Sequence, residues 1–273
     1  MQFPVMTRAL AARLQRALVA ETVAGLSEAA RQPGNPYGIE RRQFAGAAAF
    51  LARAAPAHGW WNRVVGLQPG QIDSIDDILG FYRASKRRCQ IDLDPLTLTP
   101  ELGGALVARG LVPAPNGTVL YGLPRSDEPR LPDGAEIREL GPAGADLFAE
   151  LWASGFEVGG DDRAAALAIR KGWFTLRENH LYVAYVGGAP AAMAALYLHE
   201  GLGHLNVGAT LPPFRGRGLH LALTYRRIAD AARAGCDLVM GDTGGFATTS
   251  QNNMERAGLR IAYTRVTFAD PAG

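Results

Sequence analysis

Lysine is almost missing from this chain. Lys86 and Lys171 are the only two among 28 basic residues, and the rest are arginine. With the abundant Ala and Gly, that skew matches a GC-rich coding sequence and carries no functional weight. An excess of either charge is missing too. Basic and acidic residues number 28 and 26, a formal net charge of +2, so nothing announces nucleic acid or an anionic membrane as partner. Cysteine is scarce: Cys89 and Cys236 stand far apart, with no CxxC and no His at ligand spacing. That argues against a disulfide framework or a metal site and fits a reducing cytoplasm. No stretch approaches the roughly 18 apolar residues of a membrane span. The start carries Arg8, Arg13 and Arg16 before its first acid, Glu21, which resembles a transit peptide. Leu10, Leu14 and Leu18 instead recur every four residues, as in an amphipathic helix. The expectation is a soluble cytoplasmic protein.

What is present is an ordinary globular composition, 48% hydrophobic over 273 residues, enough for one large domain or two smaller ones. The clearest break is Leu123 to Gly134, with Pro124, Pro129 and Pro132 and no periodicity. It sets a first domain at 1–124, a linker at 125–134 and a second domain at 135–273. In the first, helices are expected over 5–30 and 40–56, then a strand from Trp60 to Leu67. A helix capped by Ser74 follows, then a strand from Cys89 to Leu93. Thr99-Pro100-Glu101 opens another helix, and a strand runs from Val119 to Leu123. In the second, a strand (136–140) and helices (143–154, 161–170) precede a hairpin turning at Gly187-Gly188. A third strand spans 203–211, a helix 219–234, a strand 238–240, a helix 250–257 and a last strand 259–268. The shared strand-helix-strand-helix-strand order suggests two copies of one α/β unit.

One segment stands out: Thr210-Leu-Pro-Pro-Phe-Arg215-Gly216-Arg217-Gly218-Leu219-His220. A strand enters a glycine-rich turn that opens onto a helix. The first N–H groups of such a helix lack intrahelical acceptors and lie at the positive end of its dipole. Glycines let a phosphate approach, and Arg215 and Arg217 add charge, so a pyrophosphate is the natural ligand. A dinucleotide fingerprint fails, since the third glycine position is Leu221 and Asp237 begins its strand rather than ending it. A nucleotide P-loop fails for want of its lysine.

Arg215 and Gly218, with the surrounding Pro212, Phe214 and Gly216, resemble the acyl-CoA signature Arg/Gln-x-x-Gly-x-Gly/Ala of the GNAT superfamily of N-acetyltransferases. His220 stands where the last small residue is expected. The resemblance covers roughly residues 135–268 and continues at Ser250 to Leu259, similar to the family's second cofactor motif. It implies two GNAT-like units, each a mixed, largely antiparallel sheet flanked by helices. It further implies that Gly208, Ala209 and Thr210 hold the pantetheine arm of acetyl-CoA or another acyl-CoA. By the same resemblance, N–H groups of Gly216, Arg217, Gly218, Leu219, His220 and Leu221 hold the pyrophosphate, with Ser250 and Asn253 near the lower arm. The first half looks like a degenerate copy, with Gln68-Pro69-Gly70-Gln71 in place of the loop, and is expected to bind no CoA.

Acyl transfer to an amine needs a base, an oxyanion donor and a route for the thiolate. The tyrosine that the family often supplies as acid is Met254 here, and the asparagine earlier in that motif is Ala247; Tyr263 is a substitute. Candidate bases are Asp242, after the 238–240 strand, and His204. Glu157 is a loop acid or part of a substrate wall. Trp60-Trp61 and Trp173-Phe174 bury area or line an acceptor pocket. The leading expectation is an N-acyltransferase acting on a small-molecule or peptide amine, with an oligomer left open. The alternatives are a thioester decarboxylase or O/S-acyltransferase on the same fold, and a non-catalytic acyl-CoA binder.

Overall fold

Thr7 opens the first helix, its hydroxyl accepting the Leu10 N–H at 3.2 Å. In the computed structural model, which describes residues 3–54, 61–127, 130–160, 163–244 and 248–271, helix α1 (Arg8–Arg31) buries Leu14, Leu18 and Leu26. The expected helix over 40–56 is instead a hairpin. Strand β1 (Ile39–Phe44) pairs antiparallel with β2 (Ala47–Ala52), in register from Ile39↔Ala52 to Phe44↔Ala47. Alanine is the best helix former, yet all six residues of β2 are buried. Small side chains covered on both faces suit a central strand, and pairing on both edges outweighs local propensity.

Strand β3 (Arg63–Val65) follows; Trp60, the expected start of that strand, lies outside the described residues. Helix α2 (Ile75–Ala84) is entered through a short turn at Pro69–Ser74, and Ser74 makes no capping bond from its side chain. Strand β4 (Gln90–Leu93) precedes α3 (Pro100–Ala108), which Thr99 caps by accepting the Leu102 N–H at 3.2 Å. Strand β5 (Val112–Gly122) begins seven residues before the expected Val119.

The remaining elements are β6 (Ala135–Glu139), α4 (Ala145–Gly155), α5 (Arg163–Lys171), β7 (Asn179–Val186) and β8 (Ala189–His199). Then come β9 (Leu202–Leu205), β10 (Gly208–Thr210), α6 (Leu219–Arg233), β11 (Leu238–Gly244), α7 (Thr248–Arg256) and β12 (Arg260–Ala269). The expected third strand is thus two strands, broken at Asn206-Val207.

The chain packs as two units. One comprises Met1–Val5, Val119–Thr243 and Ala247–Ala262; the other comprises Met6–Thr118, Gly244–Phe246 and Tyr263–Gly273. In the second, the strand order is β1-β2-β3-β4-β12. Of these pairs only β3 with β4 is parallel, and β12 pairs with β4 through Val266 opposite Leu93. Its core gathers Leu51, Val64, Ile78, Ile91, Leu102 and Phe268. In the first, the order is β11-β9-β8-β7-β6, with β10 also on β8. Again only one pair, β9 with β11, is parallel. Its core is built on Tyr182, Leu196, Leu205, Leu223, Val239 and Met254. Each is a mixed, largely antiparallel sheet with helices, as expected for this α/β class. No helix among the described residues is long and apolar enough to cross a membrane.

Candidate active site

The candidate site begins where a parallel pair of strands parts company. Leu202↔Leu238 through Leu205↔Gly241 join β9 to β11. At the next residue the chain folds on itself: the Asn206 N–H donates to His204 O at 2.9 Å, and the Val207 N–H donates to Asn206 Oδ1 at 2.8 Å. β10 then continues along β8, with Gly208↔Ala194 and Thr210↔Ala192, and leaves β11. The Ala195 N–H donates to Val207 O and the Leu211 N–H to Ala191 O, both at 2.9 Å. Hydrogen-bonded positions alternate in an antiparallel ladder. Positions 207, 209 and 211 therefore turn to β8, and the backbone of Gly208 and Thr210 turns to the open side. Among the described residues no strand pairs with this edge, and an open strand edge can take an extended ligand with amide groups.

The loop after β10 continues the same edge. Pro212–Phe214 forms one short turn, and Gly216 (φ 77°) and Gly218 (φ 80°) are left-handed, a conformation that demands glycine. Gly218 is the N-cap of α6 and offers no side chain, so the helix's leading N–H groups have no intrahelical acceptor. The Arg215 Nε donates to Thr210 O at 3.1 Å, and its guanidinium lies 3.7 Å from Glu157. The Arg217 guanidinium sits 5.5 Å over the Phe214 ring. Gly216, Arg217 and Gly218 are all exposed, and N–H groups at a helix start of this kind can take an anion.

His220 and Asn253 meet behind this loop. The Asn253 amide Oδ1 accepts from Arg256 at 3.1 Å, which leaves its Nδ2 to donate to His220 Nδ1 at 3.2 Å. The neutral ring then carries its proton on Nε2, close to Gly208: a Cβ there would lie 3.5 Å from it. Burial, and secondarily the Arg227 charge, pull the His220 pKa down to about 4. Ser250 lies in the first turn of α7, half-buried.

On the parallel strands just before they part, His204 Nε2 lies 2.9 Å from Asp242 Oδ1. The imidazole is 1% exposed and the carboxylate 24%. Nε2 takes the Asp242 carboxylate as its partner, and no hydrogen-bond partner reaches Nδ1 among the described residues. Two residues named separately as candidate bases thus form one hydrogen-bonded pair. Tyr263 is half-buried and falls in the other packing unit, with 263–273. Met254, in the tyrosine's place, is a core residue whose sulfur fills the space over Gly241. Ala247 and Trp60 lie outside the described residues. Trp61 packs edge-on to Tyr37 at 5.0 Å. Trp173 is buried against Phe148, and the Arg170 guanidinium lies 4.1 Å from both the Trp173 and Trp152 rings.

Sequence reasoning passed over Arg227. It expects the apolar side of α6 along Leu221, Tyr225, Ile228 and Ala232. The buried arc instead runs through Ala222, Leu223, Thr224, Arg227, Ile228 and Ala231, and the arginine is 2% exposed at its centre. Its spacing four after Leu223 was the available signal. An arginine on a buried face needs acceptors, and only the tertiary structure shows the carbonyls that meet it.

Comparison with known proteins agrees with this geometry. Residues 143–244 match the acetyltransferase (GNAT) domain family. No curated protein matches the chain. Among solved structures, a GCN5-related N-acetyltransferase from Kribbella flavida is similar at 18% identity and TM-score 0.66, covering 96% of each chain. A tandem GNAT protein from the clavulanic acid biosynthesis pathway is similar at 16% identity and TM-score 0.65, covering 100% of this chain and 98% of that one. A GCN5-related N-acetyltransferase from Sphaerobacter thermophilus reaches 14% and 0.60, covering 82% and 80%. At these identities the likeness is one of fold.

Proposed function

We propose, from the premise that residues 143–244 carry a GNAT acetyltransferase domain, that this protein transfers the acyl group of acetyl-CoA to an amine by direct attack. The observation that carries the reading is the parting of β9 from β11 beside the His204–Asp242 pair, with the Gly216–Gly218 loop at the far end of the same edge.

When bound, the thioester supplies an activated acyl carbonyl. Everything else falls to the chain. Gly208 and Thr210 present the strand edge along which the pantetheine arm lies; Ala209, expected to share that role, has its backbone turned to β8 instead. The N–H groups from Gly216 to Leu221 take the pyrophosphate, with Ser250 and Asn253 beside the lower arm. The Gly208 N–H, turned to the open side, meets the negative charge that develops on the acyl oxygen. Asp242 is the group an acceptor reaches, and it takes the amine proton while His204 fixes its orientation. A thiol titrates near 8.5, so the thiolate leaves without an obligatory acid, which accommodates Met254. Tyr263 remains a candidate donor.

In sequence terms, 1–124 is a degenerate copy, 125–134 a linker and 135–273 the CoA-binding copy, working in the cytoplasm on a small-molecule or peptide amine. The core placement of Met254 favours, as second reading, thioester decarboxylation or transfer to oxygen or sulfur. Calorimetry with acetyl-CoA and free CoA, then thiol release across an amine panel, tests both. Micromolar binding with amine-dependent release supports the proposal. Tight binding without release above the hydrolysis blank sinks amine transfer.

A further inference from the structure

The buried arginine of α6 has no place in the scheme above, and its contacts are specific. Arg227 Nη1 donates to the carbonyls of Asn206 (3.0 Å), Ala195 (3.1 Å) and Val207 (3.3 Å). Nε donates to Leu223 O at 3.1 Å, and Nη2 reaches Thr224 Oγ1 at 3.4 Å. Among the described residues no carboxylate balances the charge. Burial pulls the pKa down to about 10, so the guanidinium stays charged at neutral pH. An uncompensated buried charge is expensive to keep, and ordinary packing at this position would be met by a leucine.

The carbonyl of Val207 is the informative acceptor. It takes two donors, the Ala195 N–H at 2.9 Å and Arg227. The same planar peptide carries the Gly208 N–H at its other end, pointing away from β8 to the open side. Charge drawn onto the oxygen of an amide makes its N–H a stronger donor, because hydrogen bonds in series polarise one another. Nη2 also lies near Gly208, 3.6 Å from where a Cβ would stand.

We propose that Arg227 is a positioning residue for acyl transfer, acting through the Val207–Gly208 peptide: it pins the carbonyls of the strand break and strengthens the Gly208 N–H as the donor to the acyl oxygen. The inference rests on the acyl-CoA reading. Among the described residues the hydrogen bonds of Arg227 go to 195, 206, 207, 223 and 224 and none to the 211–221 loop, so the test separates rate from diphosphate binding.

The test compares Arg227→Gln, which keeps a neutral donor for the carbonyls, with Arg227→Lys, which keeps the charge. Calorimetry of wild type with acetyl-CoA comes first, and absence of binding there would refute the acyl-CoA reading itself. Given binding, Arg227→Gln is expected to lose about tenfold in kcat. Its KM for acetyl-CoA and Kd for free CoA are expected to stay within about threefold of wild type, since the loop donors are untouched. Arg227→Lys is expected to recover kcat to within about threefold of wild type, because the charge is restored. Thermal unfolding of both variants reads the structural contribution separately. Wild-type kcat in Arg227→Gln overturns the proposal, as does equal loss in the Gln and Lys variants. Failure of both to fold also overturns it, by making the guanidinium a structural clamp and nothing more.

Discussion

His204 stands opposite Met240 in the parallel ladder but bonds Asp242, two residues further along, at 2.9 Å. The other unit repeats that offset. Arg63 stands opposite Gln90 and pairs with Asp92, again two residues on, at 3.1 Å. Each pair bridges a parallel seam, β9 with β11 and β3 with β4. The repetition supports reading the chain as two copies of one unit. The difference between them is chemical: an imidazole offers one nitrogen that can donate and another that can accept, whereas a guanidinium only donates.

If the first pair moves a proton, Asp242→Asn should lower kcat about 100-fold with little change in the Kd for CoA. His204→Gln keeps a donor to Asp242 and should lose less. Steady-state kinetics with the best amine of the panel would settle the order. A fully active Asp242→Asn removes Asp242 from the mechanism.

The second pair should be structural. Asp92→Asn strips the charge from a buried partner of Arg63, and should destabilise the fold by roughly 3 kcal/mol. Once the fraction of folded enzyme is accounted for, kcat should be unchanged. Urea unfolding and turnover on the same preparation separate the two.

Gly218→Val places a branched side chain at a left-handed position, where anion and backbone must meet. CoA affinity should fall roughly tenfold or more, together with about 1–2 kcal/mol of stability from backbone strain. Gly70 has ordinary φ and open space around it, so Gly70→Val should leave CoA binding at one per chain. Calorimetry reads both, and a stoichiometry of two in wild type would contradict the inert first copy.

His220 makes stability depend on pH. Between about 6.5 and about 4 the unfolded chain holds a proton on this ring that the folded chain does not. Its contribution is complete above pH 6.5 and is lost as pH falls through that window, about 3 kcal/mol in all. His220→Gln should flatten the curve of unfolding free energy against pH there. An unchanged slope would mean that the imidazole is not held neutral.

Much of this was legible in one dimension because its causes are local. Thr99-Pro100 starts a helix through a hydroxyl acceptor and a fixed φ. Gly216 and Gly218 mark left-handed turns because other residues are strained there, and the chemistry of the loop follows from N–H groups that any helix start exposes. The Ala45–Ala52 stretch was illegible because alanine favours a helix until neighbouring strands supply partners on both edges. The same holds for the site. His204 and Asp242 were separate candidates until two parallel strands put them 2.9 Å apart. Arg227 was one more polar residue on a helix until the break at Asn206-Val207 gave it three carbonyls. Sequence determined most of the elements, the glycine-rich turn before α6 and the family resemblance, since those depend on residues a few positions apart. Only the tertiary structure decided which distant groups share a proton or a charge, since Coulomb and hydrogen-bond energies depend on distances that chain separation does not fix.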